Sequence, residues 1–214
     1  MLLCDIGNTS YHFLDGDNDY KESVKTFNPQ RIDDKVYYIC VNPHAKKILE
    51  SLDNWIDLSR HVDMKNYYDT MGIDRIVACE AINDGVIVDA GSAITVDVVE
   101  GGVFAGGFIY PGTRAMEQTY KNISSALNYE FNYDLDLTKL PKNSQDAISY
   151  GYLKILHSEV ISHAKDIYLI GGDAQKLIKL FSHVSERSNK YSWGAKIETN
   201  LIFNGMKKII RQMV

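Results

Sequence analysis

The chain has few cysteines and no long apolar run, and several familiar catalytic signatures are missing. Its three cysteines, Cys4, Cys40 and Cys79, each sit in apolar surroundings and form no CxxC pair. That pattern predicts buried free thiols in a reducing compartment rather than disulfides or metal ligands. No apolar stretch reaches the roughly 18 residues that a membrane crossing needs. The early Asp5 also interrupts any signal-like segment, so a cytoplasmic protein is expected, with no membrane partner. A net charge of −5 without a basic face argues against nucleic acid as a partner. Lys207, Lys208 and Arg211, clustered near the end, read as a solvated helix face. No GxxxxGK followed by Ser or Thr occurs, which excludes a P-loop, and no GxGxxG follows a strand. His12, His44, His61, His157, His163 and His183 show no HExxH spacing, and Ser92 lies in Gly-Ser-Ala rather than GxSxG.

What is present is an echo. The stretch from Asp89 to Gly112, DAGSAITVDVVEGGVFAGGFIYPG, opens much as Asp5–Thr9, DIGNT, does 84 positions earlier. In both places an apolar run (Leu2–Cys4, Val86–Val88) ends in Asp-x-Gly and small polar residues, and a second apolar-bearing run follows (Tyr11–Leu14, Ile94–Val99). Strand, glycine turn, strand is the pattern of a β-hairpin. A turn of Gly and Ser can aim backbone N–H groups at an anion, and the Asp at the strand end adds a carboxylate for a cation beside it. Used twice, the device predicts a duplicated α/β fold holding a nucleotide in a cleft between two similar halves, divided as residues 1–84 and 85–214.

The rest of the 214 residues, 45% hydrophobic and 24% charged, fits that plan. A strand is expected at Val36–Val41, stopped by Asn42-Pro43, then a helix at Ala45–Leu52, a strand at Trp55–Leu58 and a helix at Met71–Ile82. In the second half strands are expected at Gly85–Asp89, Ile94–Val99 and Val103–Ile109, with Gly101-Gly102 as the hairpin turn. A helix at Thr113–Leu127 and a polar connection lead to the longest helix, Ser144–Ala164, with Ile148, Tyr152, Ile155 and Leu156 as its apolar stripe. Strand Asp166–Ile170, the turn Gly171-Gly172-Asp173, helix Ala174–Phe181 and helix Leu201–Met213 close the chain. Tyr150, Leu153, Val160 and Ile161 add apolar surface around the long helix, which predicts that a second subunit covers it. The alternative cover is the C-terminal helix of the same chain.

One acid–base pair stands out, Asp74-Arg75 in Met-Gly-Ile-Asp-Arg. An Asp beside an Arg at a helix start is commonly a cap with a surface ion pair. The same residues, with the helix-unfriendly Gly72 and just ahead of the Asp89 hairpin, also suit a base that takes a hydroxyl proton beside a guanidinium that binds an anion. Both readings stand on the residues alone.

DIGNT, GIDR, DAGSAITVD, GGFIYPG and IGGDA, in this order, resemble the type III pantothenate kinases, across essentially the whole chain. The resemblance implies the duplicated ribonuclease H-like, actin-like ATPase fold, ATP-dependent phosphorylation of pantothenate, and a homodimer. It implies that Asp5, Ile6, Gly7, Asn8, Thr9, Ser10, Tyr11 and His12 form the first ATP-binding hairpin, with Asp5 acting on nucleotide-bound Mg²⁺ through water. Asp74 becomes the general base, and Gly72, Ile73, Asp74 and Arg75 contact pantothenate. Asp89 holds a monovalent cation, K⁺ or NH₄⁺, and Ser92 touches the ATP phosphates, replacing the usual Thr. Ser144 replaces a substrate-contacting Thr, and Gly171-Gly172 is the turn near the adenosine. Tyr67 and Tyr68 both match the substrate tyrosine, with Tyr68 favoured. Two competing readings are a nucleotide-binding regulatory protein of the same fold and a kinase for another small hydroxylated metabolite.

Overall fold

The structure is a computed structural model that describes residues 1–181 and 193–213. The chain divides into two compact units, Met1–Ile82 with Asn200–Val214, and Asn83–Thr199. The first opens with β1 (Leu2–Ile6), β2 (Ser10–Asp15) and β3 (Asn18–Ser23), followed by β4 (Val36–Cys40), helix α1 (Pro43–Leu49), β5 (Trp55–Asp57) and α2 (Ile73–Glu80). The second runs through β6 (Gly85–Ala90), β7 (Ala93–Glu100), β8 (Val103–Pro111), α3 (Thr113–Ile123), α4 (Ser144–Ser162), β9 (Ile167–Ile170), α5 (Ala174–Phe181) and β10 (Ala195–Ile197). The last helix, α6 (Leu201–Gln212), belongs by its packing to the first unit.

Both units carry a five-stranded sheet of the same topology, β3-β2-β1-β4-β5 and β8-β7-β6-β9-β10. In each, three strands form an antiparallel meander and two more add in parallel beside its first strand. This is the duplicated α/β architecture that the repeated Asp-x-Gly hairpin predicted.

Because strand side chains alternate between faces, each sheet has two distinct sides. In the first unit Cys4, Ile6, Tyr11 and Phe13 pack with Ala45 and Leu49 of α1, while Leu3, Leu14 and Ile39 pack with Val77 of α2 and Phe203, Met206 and Ile209 of α6. In the second, Val86, Val88, Ile94 and Val96 pack with Tyr152, Leu153 and Leu156 of α4 and Leu177 and Phe181 of α5. Local chemistry sets the element ends. Asn42 caps α1 by accepting the His44 and Ala45 N–H groups at 3.0 Å, with Pro43 at the first helical position. Gly101 and Gly102, at φ +56° and +78°, make the β7–β8 turn that only two left-handed residues allow.

Several sequence expectations need correction. Strands β3 and β10 were not anticipated. The helix expected from Met71 starts at Ile73, because Gly72 is its extended N-cap (φ −61°, ψ 138°). The helix expected at Thr113–Leu127 stops at Ile123, and Ser124 caps a separate 3₁₀ turn at Ser125–Leu127. In α4 the buried stripe is Ile148, Tyr152, Leu153, Leu156 and Val160, whereas Ile155 is 62% exposed. The C-terminal helix packs on α2 and β1 and does not stay with residues 85–199. Its close approach to α2 depends on Gly205, where a Cβ would fall 2.9 Å from the Val77 carbonyl carbon. Cys4, Cys40 and Cys79 are buried free thiols, and burial raises the Cys4 pKa well above the ordinary value.

Candidate active site

In the first unit, β1 and β2 are joined by a turn that the Gly7 N–H closes onto the Ser10 carbonyl at 3.0 Å. The Thr9 carbonyl accepts the Val24 N–H at 3.0 Å, and the Asn42 side chain donates to the Asn8 carbonyl at 3.4 Å. Asn8 and Thr9 are exposed, Gly7 and Ser10 half-buried, and the half-buried Asp5 sits at the end of β1 opposite His12. The side chains of Ile6, Tyr11 and His12 serve the fold. Ile6 is fully buried, and Tyr11 is buried among Phe27, Phe13 and Trp55, its ring centroid 4.8 Å from that of Phe27. His12 Nε2 pairs with Asp19 Oδ1 at 2.7 Å, and its ring meets Phe203 edge-on at 4.8 Å. Burial pulls the His12 pKa below the ordinary value against the opposing pull of Asp19.

The Gly72–Arg75 segment starts α2 in the same unit. Asp74 lies in the first turn, where the unpaired N–H groups of the helix favour negative charge. Its Oδ1 accepts the Arg75 N–H at 2.9 Å. A Cβ on Gly72 would lie 2.5 Å from that oxygen, so the absence of a side chain there sets where the carboxylate rests. Arg75 is buried, and its Nη1 donates to the Tyr68 hydroxyl at 2.5 Å, with the guanidinium carbon 5.8 Å from the ring centroid. Tyr67 instead donates its hydroxyl to Glu80 Oε1 at 2.8 Å. The structure therefore joins Tyr68, Gly72, Asp74 and Arg75 in one group, and turns Tyr67 to the side of α2 that carries Glu80. Seven positions and an irregular segment separate Tyr68 from Arg75, so no sequence period signals their contact.

In the second unit the turn after β6 is shorter and more crowded. The Gly91 N–H donates to the Ala93 carbonyl at 3.1 Å, and Ser92 is exposed. Gly112 presses on this turn, since a Cβ there would lie 2.6 Å from the Ser92 carbonyl carbon and 2.9 Å from the Gly91 oxygen. Gly171, at φ +86°, passes so close to Asp89 that a Cβ would collide with Oδ1 and come within 2.8 Å of the Ala90 backbone. Asp173 closes the arrangement. Its N–H donates to the Ala90 carbonyl at 3.0 Å, its Oδ2 accepts the Thr113 hydroxyl at 2.7 Å, and Lys176 lies 3.0 Å from Oδ1. Burial pushes the Asp173 pKa up, but the Thr113 hydroxyl and Lys176 hold it below the usual carboxylate range. The Thr113–Asp173 pair was missed from the sequence, although Asp173 lies within IGGDA and Thr113 directly follows GGFIYPG.

Ser144 is the exposed first residue of α4. Beside it Asn143 caps the helix by accepting the Asp146 N–H at 2.9 Å, and Asn132 and Asn143 both donate to the Asp146 carboxylate. Among the described residues no group of three His, Cys, Asp or Glu side chains gathers to hold a metal ion. None of their helices is long and apolar enough to cross a membrane.

Comparison with known proteins places this geometry in a family. The family model described as type III pantothenate kinase matches residues 40–165. A Sulfurimonas denitrificans protein named type III pantothenate kinase is 58% identical over 212 residues, covering 99% of this chain and 98% of the relative. A solved Campylobacter jejuni structure, carrying the description Baf family transcriptional activator, superposes with a TM-score of 0.84 at 39% identity, over 100% of this chain and 98% of that one. A Sinorhizobium meliloti structure described as a 2-dehydro-3-deoxygalactonokinase shares the fold at a TM-score of 0.55 and 10% identity, over 99% and 96% of the two chains. The Asp-x-Gly hairpins, the Gly72–Arg75 helix start and the glycine turns at Gly112 and Gly171 thus lie in a chain similar to its relatives from end to end: it belongs to the type III pantothenate kinase family.

Proposed function

We infer that this protein transfers the γ-phosphoryl group of ATP to the primary hydroxyl of pantothenate, giving 4'-phosphopantothenate, the first step of coenzyme A synthesis. The observation that carries the reading is the group at the start of α2, in a chain of this family. Asp74 is an acidic residue at a helix N-terminus, placed by Gly72 and followed by an Arg already hydrogen-bonded to a half-exposed Tyr. Phosphoryl transfer asks little covalent chemistry of the protein, so catalysis rests on positioning and charge. Asp74 takes the proton from the hydroxyl as its oxygen attacks phosphorus in line, and Tyr68, Gly72, Ile73 and Arg75 hold pantothenate. Buried Arg75 acts largely by fixing Tyr68, and Ser144 supplies a further hydroxyl to the substrate.

Residues Asp5–His12 contribute the first ATP turn, chiefly through the backbone of Gly7, Asn8, Thr9 and Ser10, because the Tyr11 and His12 side chains have structural partners. Ser92 supplies a hydroxyl to the phosphates. Asp5 suits the Mg²⁺ that accompanies ATP, and Asp89 suits a monovalent cation, K⁺ or NH₄⁺. The close passage of Gly171 supports that fit, since a Cβ there would collide with the Asp89 carboxylate and displace it. Bound cations would offset phosphate charge. A homodimer acting in the cytoplasm completes the proposal, with α4 and its exposed Ile155 at the interface. Light scattering at micromolar concentration should report twice the chain mass, and an active monomer would remove the dimer.

The description of the Campylobacter jejuni neighbour favours a second reading, a regulatory nucleotide-binding protein. Mass analysis of products after incubation with ATP and a panel of hydroxylated metabolites separates the readings. A phosphorylated pantothenate supports the kinase, another phosphorylated metabolite redirects it, and ATP binding without any phosphorylated product supports the regulator.

A further inference from the structure

Cross-strand pairing in the second sheet sets Thr95 of β7 directly opposite Asp89 of β6. Directly paired residues in an antiparallel ladder project from the same face with Cβ atoms about 4.5–5.5 Å apart. The face is the one opposite the α4 and α5 core, because Val88, Ala90, Ile94 and Val96 alternate onto that core. Thr95 Oγ1 is shielded from solvent and makes no hydrogen bond. A buried hydroxyl without a partner is costly, and such groups are rare enough to call for an explanation. On the far side of Asp89, Gly171 withdraws its side chain from the same carboxylate. Asp89 thus has an unpartnered hydroxyl on the neighbouring strand and, on its other side, a glycine backbone whose missing Cβ leaves the carboxylate where it is. No set of three acidic, His or Cys side chains gathers to hold a metal ion among the described residues, so a cation at Asp89 must draw on neutral oxygens. Hydroxyl and carbonyl oxygens suit hard cations.

Resting on the proposed cation role of Asp89, we propose that Thr95 is a second ligand of that monovalent-cation seat, supplying its hydroxyl oxygen beside the carboxylate. Its partner is then the cation itself, which accounts for the orphaned hydroxyl.

The test titrates K⁺ into the full-length protein at constant ionic strength with choline, reading the melting temperature and separately the K⁺ dependence of turnover. A ligand that binds only the folded state raises its melting temperature as concentration passes the dissociation constant. Thr95→Val keeps the branched shape and strand preference while removing the oxygen. It should melt no lower than the unaltered protein in choline, while its half-saturating K⁺ rises about tenfold or more in both readouts. Thr95→Ser, which restores an oxygen, should return the titration most of the way. A K⁺ titration unchanged in Thr95→Val, with Asp89→Asn losing the response, would overturn the role of Thr95 and leave the Asp89 seat standing. No K⁺ response in the unaltered protein would overturn both. Should Thr95→Val fail to fold, Thr95→Ala, which also removes the oxygen, decides: a half-saturating K⁺ raised about tenfold or more supports the ligand, and an unchanged titration overturns it.

Discussion

The two hairpins descend from one pattern but are held differently. In the first, Asp5 pairs with His12, whose ring nitrogen is taken by Asp19 at 2.7 Å, and the turn at Gly7 has open space around it. In the second, Asp89 pairs with Thr95, whose hydroxyl is unpartnered, and Gly112 and Gly171 press on the turn from two sides. The first turn is also one residue longer, since four residues separate paired Ile6 and Tyr11 while three separate Ala90 and Ile94. One duplicated pattern is thus packed in two ways, loosely around Gly7 and tightly around Asp89 and Ser92, which suits the two roles proposed for them.

The largest expected effect lies outside both hairpins and sets the scale for them. Asp74→Asn removes the proposed base at nearly constant volume, so turnover should fall about 10²–10⁴-fold with the melting curve unchanged. Steady-state kinetics beside thermal denaturation decide it, and near-normal turnover would reduce Asp74 to a helix cap. Next comes Gly72→Ala. The backbone at Gly72 admits alanine (φ −61°, ψ 138°), so the cost falls on the Asp74 carboxylate that the new methyl displaces. Turnover should drop about 10- to 10²-fold at near-constant stability, and a large loss of stability with normal turnover would contradict the placement.

Gly112→Ala against Gly7→Ala tests the contrast itself. The first pushes a methyl into the Gly91-Ser92 backbone, which cannot rotate away, and should destabilise by about 1–3 kcal/mol. The second meets nothing closer than Ser10 O at 3.9 Å and should stay within about 0.5 kcal/mol. Equal losses in denaturant titrations would show that the two turns are held alike.

The smallest effect concerns pH. Burial first, then Lys154, lowers the His157 pKa from 6.5 to about 4, and its Nδ1 lacks a hydrogen-bond partner. The unfolded chain therefore takes up the proton first. The stability from a neutral His157 is fully present above about pH 6.5 and is lost as pH falls toward 4. His157→Leu should flatten the fall in melting temperature between pH 7 and 5. His12→Leu should flatten it less, because Asp19 already offers the His12 imidazolium a partner. The reverse ranking would contradict this account of the two histidines.

Strands whose apolar runs end in a glycine turn were readable from the chain, because burial on one face leaves a period of two and the turn needs small residues. Strand β3 was not, since its NDYKES sequence lies at a sheet edge and only Tyr20 is half-buried. The one local sign was Asp15-Gly16, with Gly16 at φ +59° in the turn. The stripe of α4 was misread at Ile155 because a helix with apolar residues on several sides does not mark which side the sheet takes. The amphipathic pattern of α6 announced a buried face and said nothing of which sheet would bury it. In the candidate site, Asp5, Asp74 and Asp89 were visible as carboxylates at element ends. The Tyr68–Arg75 bond and the Thr113–Asp173 bond were not, because both join segments whose spacing only the tertiary fold determines.

Phosphorylation of pantothenate through Asp74 is the proposal on which the rest depends. The most direct measurement follows ADP release by the purified protein with ATP, Mg²⁺ and K⁺, with and without pantothenate, alongside Asp74→Asn. ADP release should depend on pantothenate, match phosphorylated pantothenate one for one, and fall at least about 10²-fold in the variant. ADP release that ignores pantothenate, or none under any cation composition, would contradict the proposal.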